Sequence, residues 1–152
     1  MISSMNFMVV PVGEVPRGDL RCSDGRARIL VVHDEVVVAD CMTTLLCRAG
    51  FDAIAAYDGA SALEMAFERN PDLLVSDIGI QGIDGIQLAM TIVNAMPECK
   101  VLLFSSYERS ADVQSAREEG YDFPSLAKPV HPAEMMKQVL ACFAGGEMVV
   151  VQ

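Results

Sequence analysis

Short apolar runs alternate with segments of helical periodicity along residues 28–143, and each kind occurs five times. The runs are rich in branched aliphatic side chains, which is typical of strands buried on both faces of a sheet. Strict alternation of strands and helices predicts a parallel sheet with helices packed on both sides. The predicted strands are 28–33, 51–57, 72–77, 99–105 and 121–127.

The segments between the strands carry signals for where helices begin and end. We expect Asp58 to cap the second helix, and Pro132 suits the first position of the fifth. Gly50 and Gly120 are expected to end the first and fourth helices, because glycine adopts the left-handed conformation without strain. One face of the first helix is predicted to be buried, and its members are Val38, Met42, Leu45, Leu46 and Ala49.

Right-handed crossovers leave few arrangements for five such strands, and the common one is the flavodoxin-like order 2-1-3-4-5. The predicted fold is therefore an α/β (βα)5 sandwich of three layers. Its ligand crevice is expected at the carboxyl ends of strands 1 and 3. We expect residues 28–143 to form this domain, residues 1–27 to be a flexible leader and residues 144–152 to be a short tail.

Composition excludes several other kinds of protein. The 152 residues include 21 acids and 11 bases, so the net charge is −10, which disfavours direct contact with nucleic acid or an anionic membrane. No apolar run is long enough to cross a bilayer. Five cysteines with no C-x-x-C pair, and only two histidines, disfavour a disulfide framework or a structural zinc site. We expect Cys41 and Cys47 to be buried thiols in a reducing cytoplasm.

Polar side chains stand at the ends of four predicted strands. His33–Glu35 closes the first, Asp77 the third, Ser105 the fourth, and Lys128 follows the fifth. Singly, each has an ordinary explanation, since aspartate caps helices, serine is common in loops and lysine is usually a solvated surface charge. Because parallel strands end at the same edge of a sheet, we expect these groups to converge on one crevice.

This set of groups suits phosphoryl transfer. Clustered carboxylates favour a divalent cation, and Mg²⁺ typically takes one or two carboxylates together with phosphate oxygens. A carboxylate can act as a nucleophile and form an aspartyl phosphate. The cation, a hydroxyl and an ammonium group would then stabilise the phosphoryl oxygens during transfer.

With these residues in view, the sequence resembles the receiver domain of two-component response regulators. The resemblance covers about residues 28–143, and as a set its segments are a strong signal, although each alone is weak. The segments that carry it are 29–35, 72–77, 82–85, 101–106 and 127–129.

The resemblance implies a role for each matching position. Asp77 is implied as the phosphoacceptor, Asp34 as the direct Mg²⁺ ligand of an acidic pair, and Gly79 as a ligand through its backbone carbonyl. Ser105 matches the hydroxyl that binds the phosphoryl group and moves on activation. Lys128 matches the lysine that pairs with a phosphoryl oxygen, and the peptide bond after it is expected to be cis.

His33 departs from the family, which usually has an acid at this position before Asp34 and Glu35. Loss of a negative charge beside the cation predicts weaker Mg²⁺ binding, with about 1 kcal/mol or more at stake. Binding is expected to weaken further at mildly acid pH, where histidine gains a proton. Two readings of His33 stay open here, a neutral polar residue lining the crevice and a ligand for a transition metal.

Other departures concern the loops around the crevice. Gln81 replaces a common proline, which predicts a more mobile loop. Ser125 stands where the family often has an aromatic residue, in a segment one residue longer than usual; Tyr121 and Phe123 are expected to belong to the core or, alternatively, to replace that aromatic residue. Tyr107 either shields the phosphoryl group, in which case Tyr107→Ala changes the dephosphorylation rate, or is an exposed loop residue.

These interpretations predict a stand-alone cytoplasmic receiver that is phosphorylated on Asp77 by a partner histidine kinase or histidine phosphotransfer protein. It is expected to catalyse only its own phosphorylation and dephosphorylation. Its output is predicted to be phosphorelay or binding of a downstream protein at the face formed by helix 4, strand 5 and helix 5, a face that could also form a homodimer.

Three alternatives share the predicted topology. One is a pseudo-receiver, a protein-binding module that is not phosphorylated. A flavin mononucleotide carrier is disfavoured because His33–Glu35 is not a phosphate-binding loop rich in serine, threonine and glycine. An aspartate-nucleophile phosphatase is disfavoured because Gly79, and not a second acid, lies two residues after Asp77, and because the length leaves no room for a cap domain.

Overall fold

The computed structural model describes residues 25–144. Five parallel strands form one sheet in the order β2-β1-β3-β4-β5, which confirms the predicted topology. The strands are β1 (Arg28–Val32), β2 (Asp52–Ala56), β3 (Leu73–Asp77), β4 (Lys100–Ser105) and β5 (Ser125–Ala127). The helices are α1 (Val36–Arg48), α2 (Gly59–Arg69), α3 (Gly85–Ala95), α4 (Ser110–Glu118) and α5 (Pro132–Phe143), with a short 3₁₀ helix at Tyr107–Arg109.

Two hydrophobic layers cover the sheet, one on each face. Alternate residues of each strand point to opposite faces, so that in β1 Leu30 packs with the residues of α2, α3 and α4 while Val31 packs with those of α1 and α5. In the register of the sheet, Leu30 lies opposite Ile54 on one side and Leu74 on the other. The apolar runs read from the sequence therefore fill both layers.

Local signals end the elements at the predicted places. The side chain of Asp58 accepts a hydrogen bond from Ser61 N at 2.8 Å and so caps α2. Asn70 ends that helix in the left-handed conformation, with φ of 50°. Pro132 occupies the first turn of α5, where its missing N–H is not needed. Both ends of α2 and the start of α5 are thus set by short-range chemistry.

The predicted buried face of α1 is wrong in part. Ala39 and Leu46 are its fully buried residues, whereas Leu45 is exposed. These two buried residues lie seven positions apart, which is two helical turns, and this stripe turns Cys41 and Cys47 outward. The expectation that both thiols are buried was therefore wrong.

The fifth strand is shorter than predicted. It covers only the last three residues of the run, because Pro124 has no N–H with which to continue the ladder. The carbonyl of Pro124 still accepts a hydrogen bond from Leu103 N. Phe123 is buried in the core and Tyr121 packs beside it, with ring centroids 5.7 Å apart, as expected of core residues.

The outer parts of the chain complete this description. Ala27 is buried and its carbonyl accepts a hydrogen bond from Asp52 N, so the packed domain reaches one residue before β1. Most of the predicted leader (residues 1–27) and most of the predicted tail (residues 144–152) lie outside the described residues. Within residues 25–144, no helix is both long and apolar enough to cross a membrane.

Candidate functional site

Asp77 is the centre of the crevice at the carboxyl end of the sheet. It is the last residue of β3, and its side chain is only 4% exposed. One carboxylate oxygen, Oδ1, lies 2.6 Å from Nζ of Lys128. The two atoms form an ion pair, but they are not aligned as a hydrogen bond. Among the described residues, Oδ1 therefore has no aligned hydrogen bond. A buried carboxylate in this state retains acceptor capacity for a further ligand.

Lys128 and Ser105 reach the crevice from the neighbouring strands. Lys128 follows β5, and its backbone N–H donates to the carbonyl of Ser105 at 3.0 Å. The peptide bond between Lys128 and Pro129 is cis, which confirms that expectation. The hydroxyl of Ser105 donates to the carbonyl of Ser106 at 3.0 Å. To bind a group on Asp77, this hydroxyl has to turn away from its present acceptor.

The other side of the crevice comes from the end of β1. His33 is buried, with Nε2 3.8 Å from Asp77 Oδ2 and Nδ1 3.6 Å from Asp34 Oδ1. Asp34 is about one-third exposed, so its carboxylate faces both the crevice and solvent. Glu35 is exposed and contacts the cluster through its backbone N–H, which donates to His33 Nδ1 at 3.1 Å.

Three of these groups stand close enough to surround a cation. One possible ligand atom each from His33, Asp34 and Asp77 lies within 4.8 Å of the others. Two carboxylates, one of which has an oxygen with no aligned hydrogen bond among the described residues, suit a hard cation such as Mg²⁺. The residues present therefore fit the predicted metal.

Gly85 is required by the close packing of the loop that follows Asp77. A Cβ at Gly85 would collide with the carbonyl oxygen of Asp77 and would lie 2.8 Å from Cα of Ile78. Gly79 differs, because among residues 25–144 a Cβ there would meet only Nη1 of Arg109, at 3.8 Å. The carbonyl of Gln81 accepts a hydrogen bond from the backbone of α2 at 3.2 Å, which ties the loop to its neighbour. The expectation that Gln81 makes this loop mobile stays a prediction.

Arg109 borders the crevice beside Gly79, and the sequence analysis did not single it out. Its Nη2 donates to Asp84 at 3.1 Å and its Nε donates to Asp112. The hydrogen bond to Asp112 is the main reason why the pKa of Arg109 is raised. An arginine four residues after Ser105 was the only available signal. Tyr107 is 91% exposed, as expected of a loop residue, and its shielding role stays a prediction.

Comparison with known proteins agrees with this geometry. The family model described as "Response regulator receiver domain" matches residues 29–140. The chain belongs to the response regulator receiver family. The flavin-carrier and phosphatase alternatives thereby lose their support.

Relatives and solved structures of the family show how far the likeness extends. The DNA-binding response regulator MtrA of Mycobacterium tuberculosis is 32% identical over 116 residues, which are 76% of this chain and 50% of MtrA. A receiver domain protein from Clostridium thermocellum aligns with a TM-score of 0.72 at 21% identity, over 79% and 96% of the two chains. A LuxR family response regulator from Aurantimonas aligns with a TM-score of 0.68 at 30% identity, over 79% and 86%.

The receiver therefore spans about half the length of the curated relatives that it matches. MtrA is named as a DNA-binding response regulator, and DNA binding is a property of that protein. The expectations that the receiver acts alone and does not contact nucleic acid stay predictions.

Proposed function

We propose that this receiver accepts a phosphoryl group on Asp77 from a histidine kinase or a histidine phosphotransfer protein. The observation that carries the proposal is the state of Asp77, a carboxylate almost fully buried that stands between Lys128 and His33. One of its oxygens has no aligned hydrogen bond among the described residues, and the pair Lys128 and Asp77 joins two strands that are far apart in sequence.

Asp34 and Asp77, with the backbone carbonyl of Gly79, would hold Mg²⁺. When bound, this cation neutralises charge that builds up on the phosphoryl oxygens. The residues of the chain do the remaining work. A carboxylate oxygen of Asp77 attacks phosphorus, the bond from phosphorus to the donor's imidazole nitrogen breaks, and its electron pair stays on that nitrogen. Lys128 Nζ provides a fixed positive charge for the transferred group.

Ser105 gives this reaction a structural consequence. Its hydroxyl now donates to Ser106, so binding a phosphoryl oxygen requires that this hydrogen bond be exchanged. The backbone of Ser105 is bonded to Lys128 and leads directly into the 3₁₀ helix before α4. We propose that movement here changes the face formed by α4, β5 and α5, which then binds a downstream protein or a second copy of the receiver.

The signal is proposed to travel through the backbone. Ser125 carries no aromatic ring, and the ring of Tyr121 is held against Phe123 while its hydroxyl contacts Asn94 at 3.1 Å. Coupling between rotation of an aromatic ring at position 125 and movement of Ser105 therefore has no counterpart here. This module signals and acts chemically only on itself; a cytoplasmic location is the setting that suits it.

The surface beside the crevice suits a partner protein that delivers the phosphoryl group. Val36 and Val37 begin α1 directly after residues 33–35, which follow β1, and they are 50% and 73% exposed. Exposed aliphatic residues next to a polar centre are typical of the contact zone of a protein interface. We propose that the phosphodonor protein contacts this end of α1.

Acetyl phosphate with Mg²⁺, followed by intact-mass measurement, tests the proposal. Wild type is expected to gain one phosphate and Asp77→Asn none. Asp58→Asn is the matched control, because Asp58 follows β2 and caps α2, and asparagine caps equally well. A wild type that gains no phosphate would support the pseudo-receiver instead, an alternative that rests on His33 in place of an acid.

A further inference from the structure

The two ring nitrogens of His33 have different surroundings. Nδ1 lies 3.1 Å from the backbone nitrogen of Glu35, and this nitrogen can only donate. Nδ1 must therefore present its lone pair. A neutral imidazole then carries its proton on Nε2, the nitrogen that faces Asp77 Oδ2 at 3.8 Å. The crevice thus receives an N–H group from His33 and not a lone pair.

This arrangement argues against His33 as a metal ligand. A ligating nitrogen must offer a lone pair, and the lone pair of Nδ1 is already used by Glu35. Ligation through Nε2 would move the proton to Nδ1, where it would face the N–H of Glu35 and break that hydrogen bond. The cation is left to the carboxylates of Asp34 and Asp77.

We propose that His33 Nε2–H donates a hydrogen bond to an oxygen of the transferring phosphoryl group, which makes His33 a catalytic residue of this receiver. The inference rests on the proposed function of Asp77. The 3.8 Å separation from Asp77 Oδ2 is too long for a hydrogen bond, so the N–H group is not committed to that carboxylate. It can therefore serve a new oxygen brought to the crevice.

Transfer of the phosphoryl group to Asp77 does not require a proton from His33. With acetyl phosphate, the bond from Asp77 to phosphorus forms, the bond from phosphorus to the acetyl oxygen breaks, and the electron pair leaves on acetate. His33 keeps its proton throughout and contributes a fixed donor. A hydrogen bond to developing charge predicts an effect of about tenfold on the rate.

Nitrogen-15 NMR at about pH 8, where histidine is ordinarily neutral, tests the tautomer. We expect His33 to be protonated on Nε2 and to stay so when Mg²⁺ or Zn²⁺ is added. His131, whose Nδ1 accepts from Ala133 N at 3.0 Å, is the internal control and is assigned with His131→Asn. A proton on Nδ1 of His33, or a zinc-induced shift showing ligation by its ring, would overturn the proposal.

Phosphorylation rates at saturating Mg²⁺ test the donor role. His33→Ala is expected to be about tenfold slower than wild type with acetyl phosphate. His33→Gln, whose amide nitrogen can reach the place of Nε2, is expected to recover to within about threefold. Equal rates for alanine and wild type, or no recovery with glutamine, would overturn the role of His33 alone. A wild type that gains no phosphate would overturn the proposed function, and the NMR result does not depend on phosphorylation.

Discussion

The sheet has a hollow at each end, and the buried polar group in each hollow has different surroundings. At the carboxyl end, Asp77 is buried with Lys128 on one side and His33 on the other. At the amino end, a cavity of about 450 Å³ is lined mainly by apolar residues, together with Cys99 and Cys142. Burial there raises the pKa of Cys142 to about 11, so its thiol stays neutral.

The comparison teaches that depth alone does not create a reactive site. A buried group can react when neighbouring residues stabilise its charged form and leave some of its lone pairs free to bind a ligand. Lys128 provides the charge for Asp77, and the unaligned Oδ1 provides the capacity. At the amino end, desolvation of Cys142 outweighs the attraction of Lys100, so the pKa of the thiol is raised and its neutral form is favoured.

Removal of the charge from the carboxyl end should have the largest effect. Lys128→Met leaves the buried carboxylate of Asp77 without its cation and removes a stabilising charge from the transferred group, so phosphorylation by acetyl phosphate is expected to slow by about 100-fold. Lys137→Met, an exposed lysine on α5, is the control and should react like wild type. An unchanged phosphorylation rate in Lys128→Met would show that the charge of Lys128 does not support the reactivity of Asp77.

The amino end can be probed by alkylation with iodoacetamide at about pH 8. A pKa near 11, against an ordinary 9.0, predicts that Cys142 reacts about 100-fold more slowly than exposed Cys41, as followed by peptide mass mapping. The raised pKa also stabilises the fold below about pH 9, and this contribution is lost as pH rises through about 11. Equal alkylation rates in the folded protein would show that the cavity does not protect its thiol.

The stability of two glycine variants tests how closely the loop after Asp77 is packed. Gly85→Ala introduces a collision with the carbonyl of Asp77 and is expected to lower the free energy of unfolding by about 1–3 kcal/mol in urea titration. Gly79→Ala is the matched control, since its new Cβ meets only Arg109. Similar losses in the two variants would contradict the close packing assigned to Gly85.

The acidic side of the crevice gives the smallest expected effect. His33→Asp restores a negative charge beside Asp34, so Mg²⁺ affinity is expected to rise about fivefold, which corresponds to ~1 kcal/mol. Isothermal titration calorimetry of Mg²⁺ binding to wild type and to His33→Asp measures this difference in affinity. Equal affinities would show that residue 33 does not influence the cation.

The sequence predicted the order of the sheet, the cap of α2 and the start of α5, because alternation, caps and proline act over short distances. It failed for Cys41, because a shift of helix phase by one residue is enough to turn a side chain from the core to solvent. It also began β5 four residues too early, at Tyr121, since the effect of proline depends on which ladder bond is lost.

The candidate site shows the same division. Strand ends placed Asp34, Asp77 and Lys128 together correctly, because the topology alone brings them to one edge. The orientation of His33 depends on a hydrogen bond from the next turn of backbone, and the position of Arg109 depends on its pairing across two loops. Neither contact has a periodic signal in the sequence.

The account depends most on the convergence of the crevice residues around one cation and one phosphoryl group. A crystal structure with Mg²⁺ and beryllofluoride, a mimic of the phosphoryl group, tests this directly. We expect beryllium on Asp77, Mg²⁺ about 2.1 Å from oxygens of Asp34, Asp77 and Gly79, and fluorines contacting Ser105 and Lys128. A cation bound elsewhere, or Lys128 turned away from the fluorines, would contradict it.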